Sequence, residues 1–310
     1  KETFSNTITQ ASDSNRAIII LPAFGRDYAW RVKYLNRKGK TVGSTQYYHF
    51  RTGTSKYVDT AQYKLEIIDS AKDHHDLFVL TDYIPVIYNL KGEPIWYMPD
   101  VVKVPDIGLQ LRDLKPHNSS FTAIANNEAI EFDFKGNLLW KAPNDGRISG
   151  DSTEHYHHEM IKLPNGNNMV ASHQTELRKV PEGIKIDTSR YTDARTDSTL
   201  EKHVAYIRYK DGFYKKCLLG NLVEFNPKTN EVVWVWRSID HFKDDDFFIP
   251  FVTGLLQDMH LNAFYFDTTE SAIYISSRNK NEIVKISYPS GEILKRYGAI
   301  WSDTGKTSTH

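Results

Sequence analysis

The chain has a single cysteine, Cys217, in 310 residues. A disulfide framework within the chain is excluded, and so is a cysteine-rich metal site. Charge of neither sign is in excess: 39 Lys+Arg stand against 39 Asp+Glu. With no basic surplus and no Lys/Arg-rich run, nothing points to a nucleic-acid partner or to a charged membrane surface. No apolar run reaches the ~18 residues needed to cross a bilayer, so no transmembrane segment is expected. No signal peptide is visible. What the chain does have is aromatic residues, 13% of the total and 18 of them tyrosine. Large flat side chains suit β-sheet faces, and the length is sufficient for a sizeable core.

Turn chemistry recurs between apolar arms. From Arg16 to about Ile68 the segments read as short strands: Ala17 to Leu21, Trp30 to Tyr34 and Gln46 to Phe50, with turn residues Asn36 to Gly39 between the last two. Residues 1–68 are expected to form a small β-sandwich-like domain. From about Asp69 a longer unit repeats. Its outer part carries a hairpin signal four times: Tyr88 to Trp96 around Gly92, Phe132 to Trp140 around Gly136, Phe225 to Trp234 around Asn230, and Ile286 to Leu294 around Gly291. A tight hairpin needs such residues at its tip. Gly92 and Gly136 are 44 residues apart (136 − 92), within the ~40–50 of a propeller blade. Gly136 and Asn230 are 94 apart (230 − 136), so an insertion is expected around 178–216, and a second at 237–257. Trp96, Trp140 and Trp234 are read as blade-packing residues. The expected fold is all-β: residues 69–310 form about four propeller blades. An incomplete propeller leaves an unpaired edge, so further blades are expected beyond the C-terminus.

A histidine precedes a strand in each unit. His74 leads into the strand at Leu77, His117 into Ser120 to Ala125, His157 and His158 into Met160, and His260 into Ala263. If these strands are equivalent and innermost, the histidines converge at one mouth of the channel. Alternation along a strand pairs His260 with Asn262, His157 with Glu159, His117 with Ser119 and His74 with Asp76. Ser276 lies 16 residues after His260 and Ser172 lies 15 after His157, a register that favours His157 over His158 as the inward residue. Arg278 follows the next strand, whose end returns beside His260. A guanidinium among imidazoles suits a tetrahedral oxyanion, because its planar fork matches the oxygens. Converging imidazoles also suit a metal, but an arginine beside them opposes a cation, so neither metal nor cofactor is expected.

Three runs carry a resemblance to a known family: 157–167, containing Leu163-Pro164-Asn165-Gly166-Asn167; Asp258 to Asn262 together with Ile275 to Arg278; and 222–236. Over roughly residues 70–300 the chain resembles the arylsulfate sulfotransferases. That resemblance implies a six-bladed propeller, exported to the bacterial periplasm after loss of an N-terminal signal that is an alternative membrane anchor. It implies sulfuryl transfer from a phenolic sulfate donor to a phenol acceptor through a histidine intermediate, without nucleotide. His260, Asn262 and Arg278 match the family's sulfuryl-binding residues, and His157 matches a supporting histidine. His158, His117 and His74 are further candidates for substrate contact. The nucleophilic histidine of the family belongs to a later blade and has no recognisable counterpart here. A homodimer is allowed. The alternative function is a non-catalytic propeller module binding a sulfated or anionic ligand.

Overall fold

Short strands with alternating or β-branched residues, broken by Gly, Asn and Pro, leave little room for helix, and the computed structural model is all-β. It describes residues 7–12, 17, 19, 21, 25–53, 65–69, 77–82, 86–98, 111–150, 153–183, 191–193, 206–243, 259–298, 300–301 and 307–308. Two units are distinguished, 1–102 and 103–310.

In the first unit, β1 (Asp27–Trp30) pairs antiparallel with β4 (Tyr48–Arg51), and β2 (Lys33–Leu35) with β3 (Thr41–Ser44). Aromatics hold the first pair: Trp30 stacks on Tyr48 directly opposite, and Tyr28 on Phe50. The Asn36 carboxamide oxygen accepts the amides of Lys38 and Lys40, which closes the turn between β2 and β3. The described positions of the run Ala17 to Leu21 are not strand. A three-stranded meander follows, β5 (Phe78–Thr81), β6 (Val86–Asn89) and β7 (Pro94–Tyr97).

The second unit contains three successive blades of a β-propeller. The first is β8 (Leu111–His117), β9 (Ser120–Ala125), β10 (Glu128–Asp133) and β11 (Leu138–Lys141). The second has β12 (Tyr156–Lys162), β13 (Asn168–Lys179), β16 (Gly212–Asn226) and β17 (Glu231–Arg237) as its four strands, with β14 (Tyr191–Asp193) and β15 (Tyr206–Tyr209) added beside β16. The third is β18 (Leu261–Asp267), β19 (Ala272–Ser277), β20 (Glu282–Ser287) and β21 (Ile293–Gly298). A single helical turn, α1 (Ser238–His241), follows β17.

The expected hairpins are the outer strand pairs. Gly92, Gly136, Asn230 and Gly291 all have positive φ, the conformation that tight turns demand and that Gly or Asn adopt at least cost. Tryptophans then link one blade's outer strand to the next blade's turn. Trp140 Nε1 donates to Asn230 Oδ1 at 2.7 Å, Trp234 Nε1 to the Pro289 carbonyl at 2.7 Å, and Trp236 Nε1 to the Gly291 carbonyl at 3.0 Å. Between the blades lie two apolar layers. One packs Ile124, Trp140, Tyr156, Met160, Val170 and Phe225; the other packs Met169, Leu222, Trp236, Leu261, Phe264 and Ile275.

The described residues of the insertion at 178–216 are largely a β extension. The strands β13 and β16 run on together past the blade, from Ser172 opposite Asn221 to Lys179 opposite Tyr214. Because Ser172 also faces Tyr156 at the start of β12, this arm projects from the end of the blade where the inner strand begins. Among the described residues no helix is long and apolar enough to cross a membrane.

Candidate functional site

The inner strands β8, β12 and β18 are each irregular near their start. Their ladders slip between Arg112 and Lys115, between Tyr156 and Met160, and between Leu261 and Ala263. Beside each slip sits a non-glycine residue with left-handed backbone: Asp113 at φ 55°, His158 at 58° and His260 at 43°. Such a residue costs on the order of 1–3 kcal/mol and persists only when its surroundings fix it. A bulge also re-aims side chains out of simple alternation.

The result is a cluster of five imidazoles. His157 Nδ1 and His158 Nδ1 share a hydrogen bond of 2.9 Å. His158 meets the ring of His260 edge-on, with centroids 5.0 Å apart. On its other side His157 stacks on His173 at 4.8 Å, and His173 on His155 at 5.3 Å. Arg278 lies across the ladder, its amide donating to the His260 carbonyl at 3.1 Å. Gly220, opposite His173 in the sheet, makes room for Leu261, the residue after His260: a Cβ there would sit 2.8 Å from the Cβ of Leu261.

Four of these rings, His157, His158, His173 and His260, are held neutral. Burial drives His157 well below the ordinary imidazole range, with His173 and His158 adding to the effect. Burial, then His155, His158 and His260, brings His173 down to about 4. His158 is lowered by burial first and then by two guanidiniums, Arg112 and Arg278. His260 is lowered by burial, His158 and Arg278. Near neutral pH the cluster therefore offers uncharged imidazoles beside two fixed cations. The Nδ1–Nδ1 bond also constrains the tautomers, since one ring must donate and the other accept. The donor ring presents a bare Nε2, the acceptor ring an Nε2–H. His157 Nε2 is buried with no hydrogen-bond partner, whereas the His158 ring is half-buried.

The expected residues are distributed unevenly over this site. His158, His260 and Arg278 come together. Of the pair it is His158 that meets the ring of His260, whereas His157 packs against His173; the left-handed backbone at His158 interrupts the simple alternation on which the expectation for His157 rested. Asn262 is the extra residue of the β18 bulge and is exposed. His117 does not begin an inner strand. It ends β8, because Asn118 and Ser119 form the turn to β9, and its Nε2 lies 3.1 Å from Thr122 Oγ1. Burial and Lys162 lower its pKa. His74 lies outside the described residues. Sequence reasoning missed Arg112, His155 and His173. The spacing His155-x-His157 was a period-two signal for one shared strand face; Arg112 gave no local signal. Among the described residues no group of three or more His, Cys, Asp and Glu side chains is arranged to hold a metal.

The chain matches the family model described as Arylsulfotransferase (ASST) over residues 64–304. The chain belongs to the arylsulfotransferase family. No curated protein matches it. Among solved structures it is similar to a protein of unknown function from Bacteroides caccae, 14% identical, with 74% of this chain and 62% of that chain covered and a TM-score of 0.40. It is similar to the extracellular domain assigned to a hybrid two-component system of B. thetaiotaomicron, 11% identical, covering 89% and 30%, TM-score 0.35. A third likeness is to the Dos1 propeller, 13% identical, covering 74% and 57%, TM-score 0.27. The chain thus spans less than two thirds of the length of these structures. At such TM-scores the likenesses carry no argument.

Proposed function

We propose that this chain binds an aryl sulfate at the His158–His260–Arg278 cluster and takes part in moving its sulfuryl group to a phenol. The observation that carries the reading is the pairing of neutral imidazoles with two guanidiniums, Arg112 and Arg278, about His158. A sulfuryl group in transfer spreads negative charge over three equatorial oxygens, and fixed cations stabilise that charge. Arg278 and His260 are assigned to those oxygens, with Asn262 at the rim and Arg112 as a second cation. His158 is assigned to proton exchange with the phenolic oxygens, supported by His157. In the first half-reaction the S–O bond of the donor breaks as an S–N bond to an imidazole forms, and the leaving phenolate takes up a proton. In the second, the acceptor phenol gives its proton to a base and attacks sulfur, and the S–N bond breaks. The attacking imidazole is the part that the resemblance assigns to a later blade. Export to the periplasm and the removed signal belong to the same proposal, as do the domain limits 1–68 and 69–310.

The test is incubation of the protein with 4-nitrophenyl sulfate and a phenol. Nitrophenol release that depends on the phenol, survives a chelator and is lost in His260→Ala and Arg278→Ala supports transfer. Binding of the ester with no release favours the second reading, an anion-binding module, which the same two arginines would serve. Chelator-sensitive release would contradict both.

A further inference from the structure

Beside the imidazole cluster three charged side chains join three blades. Lys115 Nζ, from β8, lies 2.7 Å from Asp113 Oδ1 and 2.8 Å from Glu159 Oε1, and donates to the Met160 carbonyl at 3.1 Å. Asp113 Oδ2 accepts the Met160 amide at 2.6 Å, which ties β8 to β12. Glu159 Oε2 accepts the Phe264 amide at 2.7 Å, which ties β12 to β18. Glu159 spends one oxygen on the ammonium and the other on the backbone of the next blade's inner strand; Asp113 meets the ammonium with both oxygens and shares Oδ2 between it, at 2.9 Å, and the Met160 amide. Bonds between a charged group and an amide are roughly twice as strong as neutral ones.

The placement bears on the site. Glu159 directly follows His158, and Asp113 directly follows Arg112. Asp113 and His158 have left-handed backbone, so one tie starts at a strained residue and the other at the residue that directly follows one. The third strained residue, His260, lies just before β18, whose amide Phe264 receives the Glu159 tie. Apolar burial is non-directional, whereas the carboxylate–amide bond sets at one residue how far β18 stands along its axis from β12.

We propose that Glu159, seated in the Asp113–Lys115 clamp, is the positioning residue that holds the His260 strand in register against His158. The proposal rests on reading the His158–His260 pair as the anion site, but its test does not require turnover. Breaking the tie lets β18 slide, opens the 5.0 Å ring contact and admits water to His260. Its imidazole then titrates closer to the ordinary value. Burial pushes the Asp113 carboxyl up to about 6 against the opposing pull of Lys115, as expected of a charge retained at some cost in a half-closed site.

The experiment follows the imidazole titrations by nitrogen-edited NMR and amide exchange at Phe264, on the full chain without substrate. Glu159→Ala is expected to lower Phe264 protection at least ~10-fold and to raise the His260 midpoint by about half a pH unit. Glu159→Gln, which keeps an acceptor for the Phe264 amide, should restore most of both. Glu154→Ala is the control: Glu154 is also buried and accepts the amides of Ile148 and Ser149 at 2.7 and 3.1 Å. It should reduce stability and leave His260 unmoved. If Glu159→Ala fails to fold, Glu159→Asp keeps the charge, shortens the reach and gives the same readout. Loss of stability in Glu159→Ala or Glu159→Asp with His158 and His260 titrating as in the parent overturns the proposal. Failure of sulfuryl transfer would leave it standing.

Discussion

The two ends of the second unit's blades obey different rules. At the outer hairpins each position does what its residue type prefers: Gly or Asn takes the left-handed turn, and a tryptophan N–H closes on the next turn. At the inner strand starts, preferences are overridden. Aspartate and two histidines take left-handed backbone, ladders slip, and imidazoles lie buried beside arginines. The regular end carries stability. The irregular end, where local rules fail, is where a site is expected. The difference teaches that strain in a repeat fold is informative because the same repeat shows what the unstrained alternative looks like.

This contrast can be broken from either side. The largest effect is expected from Trp236→Ala, which empties a fully buried site that packs on His241 and Phe242; urea unfolding should show a loss of ~3–5 kcal/mol. Arg278→Ala should instead leave the melt within about 0.5 kcal/mol, because the side chain is exposed. In the same variant, transfer from 4-nitrophenyl sulfate should fall about 10²–10³-fold. Acid should separate the ends as well. His173 titrates near 4 when folded and near 6.5 unfolded. The unfolded chain therefore takes up the proton first, and stability is lost as pH falls from 6.5 towards 4, by roughly 3 kcal/mol for this ring. Asp113, raised to about 6, acts in the opposite sense and offsets part of that loss. His173→Phe should flatten the acid limb in urea melts recorded between pH 7 and 4. The smallest effect is expected from Trp140→Phe, which removes the 2.7 Å bond to Asn230 and should cost about 1 kcal/mol.

The outer hairpins were legible from sequence because their signals are local: Gly136 between Phe132 and Trp140 says turn, whatever the rest of the chain does. The all-β class and the blade spacing followed from the same signals. His260 with Arg278 was legible because an antiparallel neighbour returns to its start. The rest was not legible because bulges depend on what lies across the sheet. The slip at His158 set its ring, and not that of His157, against His260. The turn at Asn118 and Ser119 made His117 the end of one strand instead of the start of another. The clamp of Asp113, Lys115 and Glu159 joins residues 44 to 105 positions from their partners, and no short pattern announces it.

The central claim is that the strained end binds an oxyanion between neutral imidazoles and two guanidiniums. Titrating the protein with 4-nitrophenyl sulfate while following the His158 and His260 resonances tests it most directly. The account predicts saturable binding that raises both imidazole midpoints, because a bound anion favours the charged ring, with the rise abolished in Arg278→Ala and weakened in Arg112→Ala. Saturable binding that leaves both resonances in place, or no binding by a folded chain, would contradict it.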